Sequence, residues 1–126
     1  MTPVQIVDEF IRRIVSNDLE SALELVTDDV EYDNVPLGTN IGPDAMRSVL
    51  GAMSTGIDEV QFIVHRQTVT GNVVMNERLD RFRIGEKWMD LPVAGVFEVT
   101  DDGRISLWRD FFDLATFTAG VEHLSS

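Results

Sequence analysis

The first half of the chain repeats apolar residues at the spacing of helices. Thr2, Pro3 and Gln5 mark a helix start, with a hydroxyl cap, a proline at the first helical position and a glutamine placed for a capping box. The same spacing predicts a short second helix from Asp18 and a third helix that opens at Gly42-Pro43. The apolar stripes of the three helices are Val7, Phe10, Ile11 and Ile14; Leu19, Ala22, Leu23 and Val26; and Met46, Val49, Leu50 and Met53.

The second half alternates apolar and polar residues with a period of two, which predicts long strands. Glycine-containing turns at 71–72, 85–86 and 100–103 divide it. We expect a bend or bulge near Pro92 and Gly95, and a short covering helix from Leu114 to Val121. Earlier in the chain, the pattern predicts a strand from Val30 to Val35, followed by a loop around Gly38. The predicted later strands are one through Val60, Phe62 and Val64, then 73–84, 87–99 and 104–112.

Helices followed by a meander of strands predict a single α+β domain over residues 1–126, with helices on one face of an antiparallel or mixed sheet. The strands carry apolar residues on both faces, and helices cover only one. We therefore expect a homodimer, because a large exposed apolar face is a liability in a monomer. The residues predicted on the dimer face are Met75, Leu79, Ile105, Leu107 and Phe111.

The charge and composition of the chain exclude several classes of binding partner and of chemistry. The net charge of −12 disfavours binding to nucleic acid or anionic membranes, which requires clustered basic residues. The chain has no cysteine, so disulfides and thiolate chemistry are excluded. No segment has the pattern of a signal peptide or a membrane helix, and we expect a cytoplasmic protein.

Two short segments place charge among aromatic residues. The strand period puts Arg78 and Asp80 on one face with Phe82, and Trp108 on one face with Asp110. Burying a charged group beside apolar neighbours is costly unless the charge is paired. A catalytic cluster and a purely structural ion pair both fit this pattern.

These segments resemble a known family. The order of helices and strands resembles the cone-shaped fold shared by nuclear transport factor 2, ketosteroid isomerase and polyketide cyclases. More narrowly, the segments 76–80, 108–113 and 32–34 resemble those of the limonene-1,2-epoxide hydrolases, in which two aspartates and an arginine line a deep pocket. The resemblance implies a homodimer without metal or organic cofactor. The corresponding residues here are Asp80, Arg78, Asp110, Tyr32 and Asn34.

By this resemblance the chain is expected to add water to a small hydrophobic epoxide and release a vicinal diol. Asp110 would be the base, Asp80 the acid and Arg78 the bridge between them, while Tyr32 and Asn34 would hold the attacking water. One neutral acid, one cation and one carboxylate sum to zero charge, which is the state with the smallest desolvation free energy on burial. An isomerase or cyclase on the same fold, and a non-catalytic module that binds hydrophobic ligands, remain alternatives. His65 and His123 are isolated and do not predict a metal site.

Overall fold

Four helices form in the protein, which we describe from a computed structural model of residues 1–126. The first begins as predicted, because the Thr2 side chain accepts a hydrogen bond from the Gln5 backbone N–H and the Gln5 side chain accepts one from Thr2. The proline after Gly42 likewise opens the third helix. The helices are α1 (Pro3–Val15), α2 (Leu19–Leu23), α3 (Pro43–Ser54) and α4 (Leu114–Ser125).

Six strands form one mixed sheet in the order β2-β1-β6-β5-β4-β3. β1 and β6 run parallel, while every other neighbouring pair is antiparallel. The last strand, β6, therefore inserts between β1 and β5 and joins the two parts of the sheet. The strands are β1 (Val26–Asn34), β2 (Gly38–Ile41), β3 (Glu59–Thr70), β4 (Val73–Ile84), β5 (Lys87–Val99) and β6 (Ile105–Phe111).

One face of the sheet, here called the inner face, carries the helices. Phe10 of α1 and Met46 of α3 are fully buried in a core with Phe97 and Trp108 of the sheet. At the other end of the inner face α4 lies so close to β5 that a Cβ on Gly120 would overlap the side chain of Met89. The predicted α+β architecture with helices on one face is confirmed.

Several local predictions differ from the structure. Val26 begins β1 rather than ending the second helix, and the predicted loop around Gly38 contains the edge strand β2. α4 continues four residues beyond Val121. Pairing explains the first two differences, because β2 and the early part of β1 obtain their hydrogen bonds from neighbouring strands rather than from a local turn.

The predicted bulge near Pro92 and Gly95 is wrong, because β4 and β5 pair in continuous register over their whole length. The irregularity lies further on, between Glu98 and Val99 in the pairing with β6. A bulge reverses the alternation of side chains, so Ile105 turns inward and is fully buried in the core. Ile105 therefore does not belong to the predicted dimer face.

The other side of the sheet, here called the outer face, carries no helix. Met75 and Phe111 lie there with 49% and 45% of their surface exposed, whereas Leu107 is already buried within the chain. Ion pairs lie beside these apolar residues, among them Arg66 with Glu77 next to Met75. None of the four helices combines the length and the apolarity that a membrane crossing requires.

Candidate active site

A single row of polar residues crosses the inner face of the sheet. Strand pairing aligns Asn34 of β1 with Asp110 of β6, Asp110 with Gly95 of β5, Gly95 with Asn76 of β4, and Asn76 with Gln67 of β3. The row contains two of the site residues predicted from the sequence, Asn34 and Asp110. Each side chain in it owes its place to strand register, because paired residues project from the same face.

Arg78 lies in the adjacent row of residues and bridges the carboxyl groups of Asp80 and Asp110. Its guanidinium donates to both oxygens of Asp80, at 3.0 Å from Nε and 2.9 Å from Nη2. It also donates to both oxygens of Asp110, at 3.2 Å from Nη1 and 2.8 Å from Nη2. A fifth bond of 3.0 Å joins Nη1 to Oδ1 of Asn76. All five N–H donors of the guanidinium are therefore used within one buried cluster.

Gly95 provides the space through which this bridge passes. Asp110 and Arg78 lie on strands separated by β5, so the guanidinium must cross above β5 to reach the carboxylate. A Cβ on Gly95 would overlap Arg78 Nη1 and would lie 2.9 Å from both Asn76 Oδ1 and Asp110 Oδ1. Any larger residue here would displace the cluster.

Trp108 holds Asp110 from the side. Its indole Nε1 donates to Asp110 Oδ1 over 2.8 Å. The indole is stacked between Tyr32, with ring centroids 4.6 Å apart, and Phe97, with centroids 5.8 Å apart. Phe10 meets the same ring edge-on at 5.2 Å. Since the ring is fixed on three sides, the orientation of the Asp110 carboxylate is fixed with it.

An apolar cavity opens onto the polar cluster. It has a volume of about 70 Å³, and 12 of its 16 lining residues are hydrophobic. Tyr32, Asn34, Asp80 and Asp110 all face it. The structure thus brings the five predicted site residues together, four on the cavity wall and Arg78 behind them.

The environment of Asp80 favours its neutral form. Burial raises the pKa of Asp80 to about 6, and the charge of Asp110 adds to this rise, although the hydrogen bonds and charge of Arg78 oppose it. Burial also disfavours the Arg78 cation, but the charges and hydrogen bonds of Asp110 and Asp80 outweigh burial and raise the pKa of Arg78. The cluster therefore combines a permanent cation with a carboxyl group that can carry a proton near neutral pH.

Tyr32 remains a phenol under ordinary conditions. Burial, and secondly the negative charge of Asp110, raise the pKa of Tyr32 far above its usual value. A tyrosinate is thus unavailable for attack or proton abstraction, and the hydroxyl can serve only to donate or accept hydrogen bonds.

The other charged residues of the segment 108–113 have structural roles. Arg109 points to the outer face, where it donates to Asp33 and Glu31 at 2.9 Å each. Asp113 caps α4 by accepting a hydrogen bond from the backbone N–H of Thr116. No group of three or more histidine, aspartate or glutamate side chains is arranged to hold a metal ion.

The sequence interpretation missed three features of the cluster. The two-residue spacing of Trp108 from Asp110 places the indole N–H on the same face, and this spacing was the signal for the hydrogen bond between them. The same two-residue period places Asn76 on the Arg78 face, and this spacing was the signal for its bond to the guanidinium. No local signal pointed to Gly95, because its importance depends on which strands flank β5.

The sequence matches a known family over nearly its whole length. The model of the limonene-1,2-epoxide hydrolase catalytic domain matches residues 1–122. The chain belongs to the limonene-1,2-epoxide hydrolase family. The chain is also 34% identical to epoxide hydrolase EphG of Mycobacterium tuberculosis (strain ATCC 25618 / H37Rv) over 116 residues, which cover 91% of this chain and 76% of EphG.

Solved structures agree with this membership. An M. tuberculosis LEH-like epoxide hydrolase superimposes with a TM-score of 0.82 at 31% identity, over 98% of this chain and 92% of the other. A protein from Catenulispora acidiphila DSM 44928 with a ketosteroid isomerase-like fold has a TM-score of 0.81 at 18% identity, over 95% and 93% of the two chains. The second likeness concerns the fold alone, and it confirms the cone-shaped architecture predicted for this limonene-1,2-epoxide hydrolase family member.

Proposed function

We propose that this protein is a cofactor-independent epoxide hydrolase that adds water to a hydrophobic epoxide and releases a vicinal diol. The observation that carries the proposal is the bridge from Arg78 to both Asp80 and Asp110, facing an apolar cavity. Such a site offers a proton acceptor and a proton donor in different environments, which is the requirement for simultaneous base and acid catalysis.

In the proposed reaction Asp110 removes a proton from a water molecule that Tyr32 and Asn34 orient. The water oxygen forms a bond to one epoxide carbon as the carbon–oxygen bond on the opposite side breaks. Asp80, protonated at the start, gives its proton to the departing oxygen. The proton gained by Asp110 balances the one lost by Asp80, so the buried cluster keeps the same total charge throughout.

The shape of the site favours an apolar substrate of moderate size. A second cavity of about 370 Å³ lies beneath α4 and shares Met53 and Phe82 with the first. Nine of its 11 lining residues are hydrophobic. We propose that the oxirane occupies the smaller cavity next to the aspartates and that its apolar substituent extends toward the larger one.

We further propose that the protein is a homodimer that uses the outer face of its sheet. Met75 and Phe111 remain nearly half exposed there, beside Ile63 at 40%. A second copy of the same face would remove these side chains from water.

Turnover of a panel of epoxides tests the activity. We expect the purified protein to convert hydrophobic epoxides to vicinal diols in buffer containing a metal chelator. A parallel panel of steroid and polyketide substrates tests the isomerase and cyclase alternatives. Stabilisation by these compounds without any turnover would instead support a ligand-binding module.

A single turnover in ¹⁸O-labelled water, with enzyme in excess, distinguishes direct attack by water from attack by an aspartate. Direct attack places the label in the diol during that first turnover. Attack by a carboxylate would give an unlabelled first diol and leave the label on Asp80 or Asp110, which would reject the mechanism but retain the substrate class.

A further inference from the structure

We propose that Asn76 and Gln67 are positioning residues that hold the Arg78 guanidinium in the orientation needed to bridge both aspartates. We call these two side chains the amide relay. The inference rests on the proposed hydrolase function for its kinetic consequence, but the geometry of the relay does not depend on that function.

The relay is a continuous chain of hydrogen bonds from a buried cation to a surface anion. Arg78 Nη1 donates to Asn76 Oδ1 at 3.0 Å, and Asn76 Nδ2 donates to Gln67 Oε1 at 3.0 Å. Gln67 Nε2 then donates to Asp8 Oδ1 of α1 at 2.9 Å. All three hydrogen bonds run in the same donor direction. They connect Arg78 to α1, which packs against the edge strand β3.

The chemistry of the partners fixes the orientation of both amides. A guanidinium only donates hydrogen bonds, so Asn76 must present its oxygen to Arg78 and its NH₂ group to Gln67. The Asp8 carboxylate, when ionised, only accepts, so Gln67 must present its NH₂ group to Asp8. The two ends of the relay therefore enforce one arrangement, and neither amide can flip without placing two donors or two acceptors face to face.

Asn76 is suited to the one donor of Arg78 that the carboxylates leave free. Four of the five guanidinium N–H groups point to Asp80 and Asp110, and the remaining one points to Asn76. Asn76 is 5% exposed and Arg78 is 1% exposed, so water cannot readily replace the amide oxygen. A neutral acceptor completes the donor set without adding a third negative charge to the cluster.

The relay matters because both aspartates are positioned through the same planar group. If the guanidinium tilts, the distances to Asp80 and Asp110 change together. Displacements of about 1 Å in a catalytic site can cost about 10²-fold in rate. We therefore expect losses in kcat rather than in KM, since the relay does not line the apolar cavity.

Nuclear magnetic resonance of the arginine side chains tests the positioning directly. In the wild-type chain, labelled with ¹⁵N-arginine, the five N–H protons of Arg78 should be resolved and slow to exchange with solvent. In Asn76→Ala the Nη1 protons should exchange faster and merge through rotation, while the Nε proton still bound to Asp80 changes less. Gln67→Ala should produce the same change to a smaller extent.

Gln61→Ala is the matched control. Gln61 is a glutamine on the same strand as Gln67, but its side chain donates to Glu59 and takes no part in the relay. We expect its Arg78 signals and its kcat to equal those of the wild type. In Asn76→Ala we expect kcat to fall by roughly tenfold to a hundredfold, with KM changing by less than the fall in kcat.

Each combination of results decides the proposal. Faster exchange together with reduced kcat in Asn76→Ala and Gln67→Ala supports it. Arg78 signals or kcat that match the Gln61→Ala control overturn it. If Asn76→Ala does not fold, Gln67→Ala decides alone, because its half-buried side chain lies one bond farther from the cluster. Altered Arg78 signals in a protein that turns over no epoxide would retain the relay and reject the proposed function.

Discussion

Asp80 and Asp110 accept hydrogen bonds from the same nitrogen, Nη2 of Arg78, at 2.9 and 2.8 Å. The two carboxyl groups come from strands separated by β5, and the shared donor places them around one point on the cavity wall. A single cation thus orients both carboxyl groups, which are the proposed acid and the proposed base.

Replacing either aspartate by asparagine should abolish most activity with little change in fold. General acid and base groups each contribute about 10²- to 10⁴-fold, and asparagine keeps the shape while removing proton transfer. Initial rates of diol formation for Asp80→Asn and Asp110→Asn measure the losses, with circular dichroism as the control. Near wild-type rates in both variants would show that these residues are not the acid and base.

Tyr32→Phe should reduce the rate by less than either aspartate change. The hydroxyl is expected to orient the water and not to transfer its proton, since the pKa of Tyr32 lies far above its usual value. Rates for Tyr32→Phe, measured beside Asp110→Asn, give the comparison. A loss larger than that of Asp110→Asn would assign proton transfer to Tyr32 and contradict its proposed role.

Asp80 should make the protein less stable as the pH rises through about 6. The pKa of Asp80 is raised from 3.8 to about 6, so folding favours the protonated form. This contribution is complete below pH 3.8 and is lost above pH 6, at a cost of up to about 3 kcal/mol. Asp80→Asn removes the titrating group, so its Tm relative to wild type should be higher at pH 8 than at pH 4. An equal difference at both pH values would mean that folding leaves the pKa of Asp80 unchanged.

Gly95→Ala should disrupt the site although alanine is a small residue. The added Cβ overlaps Arg78 Nη1, so the guanidinium must leave its bridging position or β5 must shift. We expect a fall in both Tm and kcat. Gly51→Ala in α3 is the control, because a Cβ there has nothing within 4 Å and alanine favours helices. If Gly95→Ala is as active and as stable as that control, the close passage above Gly95 is not essential.

A charge on the outer face should weaken self-association. Met75→Glu introduces a carboxylate at a position 49% exposed in the single chain, so the monomer can fold, whereas an apolar dimer interface would bury the new charge. Sedimentation velocity at micromolar concentration should show a dimer for the wild type and a monomer for Met75→Glu. A monomeric wild type would remove the proposed interface. The control is Met75→Gln, which places a polar side chain at the same position without changing the charge.

The sequence by itself determined features that depend on neighbours a few residues away. The capping box at Thr2 fixed the start of α1, and the two-residue strand period placed Arg78 and Asp80 on one face. The order of helices and strands gave the α+β class. These predictions succeeded because capping, helical stripes and strand alternation are set by local geometry.

Only the tertiary structure decided how the strands align and which side chains meet across them. The bulge after Glu98 turned Ile105 into the core, and the position of β5 between β4 and β6 made Gly95 the passage for Arg78. The bond from Trp108 to Asp110 could be anticipated from the strand period, but the links from Asn76 to Gln67 and Asp8 could not. Strand register is fixed by pairing between residues distant in the chain, so a local pattern does not contain it.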